Sequence, residues 1–587
     1  MRGYRVGVSH IRESLSALRK PCPVGKYGCR SFHTFPAAWT MPQWVSLSWI
    51  GSLGSIALLL LGCSDEKIVF REPVNPPPDA NSGFLGYFTP TDKQTTCGNC
   101  HVLHDVDWSN TAHANAYSVL ASSPDATAAC YTCHTVSDKG NATAGPAGYD
   151  AVQDAAYHDV QCESCHGPGV DHVTSPDAPK SATNPPLAHI GLLGPSGVAD
   201  SGSVANSCGA CHNQNSGPGV RAFEEWEKSG HARPVLEEGG GSPADTPNCA
   251  SCHEAKATLA AWGVSANYAE KGLTGSANNM GQTCSVCHDP HGSAEDASGQ
   301  PIAGQLRFPI NVPDANQNLC MKCHQRRSVP DATAARGPHS PQGPMLLGDA
   351  GYQPAGFQPD LQAVATTHGS ERNPGLCAGC HVNRLTGTDV ATGKPATSAG
   401  HLFLAIPCLD AGGLPDLVNH DCTHNEVSRS WAACANSGCH ASATQAVQAF
   451  TTVSQRLDQL TKQIWDDING NDVVDAAPTD GGYLSDAVAI PPATEFLATD
   501  SVVTPAEGAR FNVRMLRLVN GADGSSGVHN PFLAEALLRA NIDELKARYP
   551  GLPAVRAPVQ EIMKGPLGAI TKRPFSRPLI SRPISTR

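Results

Sequence analysis

Apolar and polar positions fall into three regimes along the 587 residues. Residues 44–62 form a nearly unbroken apolar run that stops at Cys63. Toward the other end, Val447, Phe450, Val453, Leu457, Leu460 and Ile464 recur at spacings of three and four. That period predicts an amphipathic helix over 441–468. Further helices are predicted over Gly508–Val519 and Phe532–Arg548. Between these regions neither the helical nor the strand period is sustained. Stretches at 139–147, 174–187, 213–220 and 291–304 carry Gly, Pro, Ser and Asn and read as loops. Asp107–Ala114 and Phe223–Ser229 read as short helix starts. The expected fold is mainly α with extensive coil and little or no sheet.

The middle regime is organised by cysteine instead. Cys-x-x-Cys-His occurs eight times: Cys97/Cys100/His101, Cys130/Cys133/His134, Cys162/Cys165/His166, Cys208/Cys211/His212, Cys249/Cys252/His253, Cys284/Cys287/His288, Cys320/Cys323/His324 and Cys377/Cys380/His381. A stretched ninth, Cys434-x4-Cys439-His440, closes the series. The spacing is the attachment signature of c-type haem. Two thiols a turn apart each form a thioether to the macrocycle, and the adjacent His becomes an axial iron ligand. Zinc knuckles need four ligands per site and leave the constant His unexplained. The array therefore predicts a multihaem cytochrome c fold with about nine haems, its short helices wrapped around them.

Composition agrees. Gly 57 and Pro 47 make up roughly 18% of the chain, against about 12% on average, while aromatic residues are only 6%. Such a chain is poor in side chains for a large core, and flat apolar haems would supply one. The net charge of −12 disfavours nucleic acid, which calls for a basic face. Redox partner proteins or extracellular acceptors fit better.

The tags use 18 of the 23 cysteines. Cys22 and Cys29 precede the apolar run, and Cys408 with Cys422 form an even pair, most simply a disulfide of an oxidising compartment. The run at 44–62 has the length and small-residue boundary of a secretory segment. A transmembrane helix is the alternative, weakened by its many Ser and Gly residues. Leu60-Leu61-Gly62-Cys63 resembles a bacterial lipobox, which implies lipidation of Cys63 and, with Ser64 following, outer-membrane sorting. The expected organisation is a signal region 1–62, a tether 63–90, a haem domain 91–550 with helices 441–550 packing back on it, and a flexible basic tail 551–587.

The first six tags read as a duplicated three-tag unit. Asp107-Trp108-x4-His113-Ala114 follows the first tag and Glu225-Trp226-x4-His231-Ala232 follows the fourth. Offsets of 111, 119 and 122 residues relate tags one to three to tags four to six. Thirteen histidines after Cys63 lie outside the tags, enough for nine second axial positions. Candidates are His113, His158, His172, His231, His291, His339, His368, His401 and His529, with His420 and His424 as close alternatives. His104 and His189 read as surface residues. His158 precedes the third tag by four residues, where Met280 precedes the sixth. Met280 is either a ligand, which raises a haem's potential, or a packed side chain. Asp467, Asn469, Asn471 and Asp475 follow the spacing of a calcium loop, but Asp472 replaces its glycine and Pro478 its bidentate Glu. A solvated turn is the alternative.

Cys165-His166-Gly-Pro-Gly, the two Trp-x4-His-Ala segments, Cys287-His288-Asp-Pro290-His291-Gly292, Gly337-Pro338-His339-Ser340-Pro341-Gln342 and Gly527-Val528-His529-Asn530-Pro531 together resemble one group. It is the multihaem c-type cytochromes related to octahaem hydroxylamine oxidoreductase and similar periplasmic electron carriers. The resemblance spans about residues 90–550. It implies short helices around stacked haem pairs, and either an electron-transfer role or reduction or oxidation of small nitrogen or sulfur oxyanions at one open haem. No Cys-x-x-Cys-Lys tag occurs, so a lysine-ligated catalytic haem is not implied. The expectation is an electron-transfer protein rather than an enzyme.

Overall fold

The chain separates into residues 1–72 and 73–587. The computed structural model describes residues 75–552, apart from 182–183, 192–206, 215–218, 234–242, 297, 334–335, 361–363, 365–367, 421–428, 437–439, 476–479, 485–490, 492, 497–500 and 519. The signal region, Cys63, Cys422, His424, Cys439 and the tail from 553 lie outside the described residues.

Short helices dominate. The tags sit on single turns, among them Ala128–His134, Cys162–His166, Pro247–His253, Cys284–Cys287 and Leu376–His381. The first and seventh are tighter 3-10 turns, Cys97–Asn99 and Cys320–Lys322. The motif favours this geometry. In each turn the histidine N–H bonds back to the first cysteine carbonyl, at 2.9 Å for His101, 2.8 Å for His212 and 2.9 Å for His288. Positions i, i+3 and i+4 of a helical turn share one face, so both sulfurs and the imidazole point the same way.

Sheet is confined to two antiparallel pairs, β1 (Tyr87–Thr89) with β2 (Gln94–Thr95) and β3 (Thr386–Thr388) with β4 (Pro395–Thr397). Helix α1 (Val102–Ser109) and helix α2 (Ala222–Lys228) follow the first and fourth tags. Each ends before its histidine, which lies in a separate 3-10 turn, His113–Asn115 or Gly230–Ala232. The duplication is visible in their contacts. Trp108 donates to the Val160 carbonyl at 2.9 Å, and Trp226 donates to the Gln282 carbonyl at 2.7 Å. Val160 and Gln282 each stand two residues before a tag, the third and the sixth.

Three longer helices build the largest apolar core: α3 (Ala443–Ile464), α4 (Pro505–Leu516) and α5 (Pro531–Arg548). Leu457, Leu460, Ile464, Met515, Leu537 and Leu545 are fully or almost fully buried there. The caps are written in the sequence. Ser442 and Asn530 accept from the third residue of their helices, and Thr504 and Glu507 form a reciprocal capping box with Pro505 at the first position. That box starts α4 three residues earlier than the apolar period predicts. The expected α3 is trimmed at both ends. Arg456 bonds Glu535 at 2.9 Å and ties α3 to α5. No described helix is long and apolar enough to cross a membrane.

The calcium-like loop closes differently. Asp467 bonds Arg517 at 3.0 Å, Asp472 bonds both Arg514 and Arg517, and the Asn469 amide turns to Asp475. Asp472 adopts φ +58, the left-handed conformation a glycine supplies in a true calcium loop. Arginines neutralise these carboxylates, and no metal-holding group of His, Cys, Asp and Glu forms among the described residues.

Candidate haem centres

Two imidazoles bound to one metal through bonds of about 2 Å hold their ring centres roughly 6 Å apart. Eight tag histidines face a second histidine at that separation. The pairs are His101 with His172 at 6.3 Å, His166 with His291 at 6.2 Å and His212 with His113 at 6.0 Å. His253 faces His339 at 6.0 Å, His288 faces His401 at 6.2 Å and His324 faces His231 at 6.2 Å. His381 faces His529 at 6.2 Å and His440 faces His368 at 6.4 Å. Partners come from remote segments: His529 is delivered from beyond α4, and His113 and His231 each serve the tag three places after their own.

The nitrogens are arranged as metal ligation requires. The Nδ1–H of His166, His381 and His401 donates to the carbonyls of Pro186, Phe403 and Ala399 at 3.0, 2.7 and 3.2 Å. Nδ1 of His172 pairs with Asn184 at 3.0 Å, and Nδ1 of His529 with the Asp523 carboxylate at 2.8 Å. These bonds orient the rings and leave Nε2 for iron. Burial, and then a neighbouring imidazole, pushes His113, His231, His291 and His401 down to about 4, so they stay neutral and able to coordinate. His529 behaves differently. Its burial lowers the value, but the Asp523 carboxylate outweighs burial and raises it.

His529 depends on a glycine. Gly527 has φ +85, and a Cβ there would collide with Leu457 of α3. The close approach lets the Val528 carbonyl accept from His368 and carries His529 to His381.

Sulfur contacts order the tags in space. The thiols, standing for thioether sulfurs, meet in the pairs Cys97–Cys162, Cys208–Cys284 and Cys320–Cys377. Cys165 lies near Cys208 and Cys287 near Cys320. These links run tag one to three, four, six, seven and eight. Two branches leave the trunk: Cys133 meets Cys211, joining tag two to tag four, and Cys252 meets Cys323, joining tag five to tag seven. Tag nine lies beside tag eight, since His368, which faces His440, bonds the Val528 carbonyl next to His529, which faces His381. A continuous cavity of about 3670 Å³ is lined by tag residues from Cys130 to His440. That is several times the ~300–1,000 Å³ of a small-molecule site and suits an array of large flat groups.

Cys100 stands apart from the other tag cysteines. It is exposed, whereas the other described tag cysteines are half-buried. The cause is local. Cys100 closes the tight 3-10 turn Cys97–Asn99, with its N–H bonded to the Cys97 carbonyl at 3.1 Å. Cys97 turns inward to Cys162, and Cys100 is left on the solvent side of the first tag.

Other candidates lie elsewhere. The His158 ring stacks on Tyr117 at 3.4 Å and 9°. Its backbone bridges Thr135, the residue after His134. Met280 packs with Tyr268 and Val286 in a small apolar cluster. His420 is half-buried at the end of a turn. His189, expected at the surface, is half-buried and bonds Glu270 at 3.0 Å. His104 is exposed, 4.9 Å from the His291 ring. Cys408 is disulfide-bonded. Sequence reasoning did not find Glu163 inside the third tag. Its buried carboxylate accepts from Leu85, Gly86 and Gly169 at 2.8, 2.8 and 2.7 Å, and burial lifts it to about 7 despite those bonds.

Residues 96–167 match the family model for cytochrome c554 and c-prime. No curated protein matches the chain. Among solved structures, the chain is similar to the outer cell wall cytochrome OcwA, with 21% identity, a TM-score of 0.36, and coverage of 71% of this chain and 75% of that one. It is also similar to an undecahaem cytochrome from the S-layer of Carboxydothermus ferrireducens, with 18% identity and a TM-score of 0.33. That match covers 68% of this chain and about half, 51%, of the other. The tags, the facing imidazoles and the family match together support a multihaem c-type cytochrome with covalently attached haem.

Proposed function

We propose that the chain is an electron-transfer protein carrying nine haems as a branched wire at the bacterial envelope. The observation that carries this reading is the set of eight tag imidazoles, each facing a second imidazole about 6 Å away. Two nitrogen ligands keep an iron closed to substrate, which suits electron passage and not catalysis. The attached haem supplies one-electron redox chemistry. The chain's residues set each potential through ligand orientation, burial and nearby charge. The linked sulfurs are consistent with continuous passage along the trunk.

Export with a lipid on Cys63, a disulfide between Cys408 and Cys422, and kinship with the hydroxylamine oxidoreductase group belong to the same proposal. So does a thioether at the exposed Cys100, which would put one edge of the first haem at the solvent boundary. Donors or acceptors are redox proteins or extracellular acceptors, with the net charge of −12 favouring cationic ones. The mass of the purified holoprotein tests the haem count: nine per chain is expected, and eight would mean the stretched tag is empty. Cys63→Ala should release the protein from the membrane fraction. Steady turnover of nitrite or hydroxylamine at enzymatic rates would overturn the wire in favour of an oxyanion oxidoreductase.

A further inference from the structure

The duplicated units differ in what covers their Trp-bearing helices. With Trp108 and Trp226 aligned, Leu103, Val106 and Asp107 of α1 match Arg221, Glu224 and Glu225 at α2. The second copy is covered. The Arg221 backbone N–H bonds the Thr397 carbonyl at 3.1 Å and its guanidinium bonds Asp389 at 2.6 Å, so the β3–β4 pair lies over this side of the helix. Glu225 is buried and accepts from the His401 N–H at 2.8 Å, from the segment that follows β4. None of the seven residues of α2 is exposed.

The first copy is open. Leu103 is 79% exposed, Val102 56% and Val106 54%, and Asp107 is exposed beside them. At about 100° of turn per residue, Val102, Leu103 and Val106 fall on the side of α1 opposite Trp108, which is pinned inside by the Val160 carbonyl. Helix α1 thus turns apolar side chains outward, the reverse of an ordinary surface helix. Apolar groups with a polar rim have the make-up of a protein interface.

The rim fixes the charge of the occupant. Asp107 and Asp171 are exposed, and Asp171 stands next to His172, the ring that faces His101. Lys93, the lysine nearest the first tag in sequence, is bonded to the buried Asp159 at 2.9 Å and to the Ala114 carbonyl at 2.7 Å. An anionic rim disfavours a second copy of the same face and an anionic lipid layer, and it favours a cationic protein. Tag one also ends the trunk of the array, with Cys100 exposed there.

We propose that the outer face of α1 is the docking surface for a small cationic one-electron redox protein, which meets the wire at tag one. Leu103 and Val106 form the apolar centre of the contact, and Asp107 and Asp171 steer the partner in. One electron crosses per encounter: one protein is oxidised as the other is reduced, and no bond forms or breaks. The contact is small, as in transient electron-transfer pairs that bury less than about 1,200 Å². The inference rests on the electron-carrier reading and on haem at the first tag.

The test mixes full-length reduced holoprotein of verified haem mass, freed of excess reductant, with a ferric lysine-rich monohaem cytochrome c in stopped flow. The second-order rate constant should fall steeply as salt rises. Leu103→Asn combined with Val106→Asn should lower it about fivefold. Asp107→Lys should lower it about tenfold at low salt and flatten the salt dependence. Val473→Asn, at a position also 54% exposed but in the C-terminal part, should change nothing. Oxidation of the double variant by ferricyanide, which needs no protein docking, should match wild type. Unchanged rates with the cytochrome in both surface variants, or a wild-type rate indifferent to salt, overturn the proposal. Full reduction of the haems by dithionite in that case leaves the electron-carrier reading standing, whereas haems that stay ferric overturn both.

Discussion

Two carboxylates beside the haem ligands do opposite work. Asp523 holds Nδ1 of His529 at 2.8 Å and makes that imidazole a more basic ligand. A more basic ligand favours ferric iron. Asp523→Asn should therefore raise the potential of the tag-eight haem on the order of 59 mV, a tenfold change for a one-electron couple. Spectroelectrochemical titration should find one haem displaced upward, and unshifted potentials would refute this role. Glu163 instead collects three buried N–H groups. Unpaired buried donors cost about 1–3 kcal/mol each. Glu163→Ala should thus destabilise the N-terminal part of the array by several kcal/mol, read as a lower denaturant midpoint with haem content retained. Neither residue stands out in the sequence. Glu163 fills a variable tag position, and Asp523 lies six residues from its histidine in a polar loop.

At the scale of elements, the tag turns follow directly from their spacing, because two sulfurs and an imidazole at i, i+3 and i+4 share a face only in a helical turn. The spacing does not say how deep each turn sits, which is why Cys100 reads like every other tag cysteine yet lies exposed. The C-terminal helices were equally legible from period and caps. α5 begins one residue before its predicted start, at Pro531, and ends where expected. The start of α4 was misjudged because apolar spacing does not register a capping box. Thr504→Ala removes one half of that box and should cost about 1 kcal/mol. The expected readout is a lower melting temperature with unchanged haem spectra. The Trp-bearing segments show where local reading stops. Helices α1 and α2 end before their histidines, and the tryptophan indoles, pinned to Val160 and Gln282, fix where the following turn points.

Across the whole molecule, the ligand pairs stitch remote segments together. His529 reaches His381 across a separation of 148 residues. His529→Ala should convert one haem from low to high spin without loss of haem mass, and an unchanged spectrum would show that another residue holds that position. The two structural supports also differ. The C-terminal helices supply most of the largest apolar core, which Met345 and Ala350 from between tags seven and eight join, whereas the rest of the tag region has small satellite clusters around its cavity. Protein made without haem attachment should keep hydrogen-exchange protection in α3, α4 and α5 and lose it through the tags. Native-like protection in the tag turns of haem-free protein would contradict that division.

The sequence by itself determined the attachment points, the coil-rich helical class, the three-tag duplication and a set of candidate ligands. Each is a matter of local spacing or of composition. Tertiary structure decided which histidine faces which tag, because that depends on where loops of differing length return. It set the backbone of His158 against Thr135 and its ring on Tyr117. It also turned a calcium-like loop toward Arg514 and Arg517. Spacing sets what a residue can bind, but only the packed chain sets what stands opposite it.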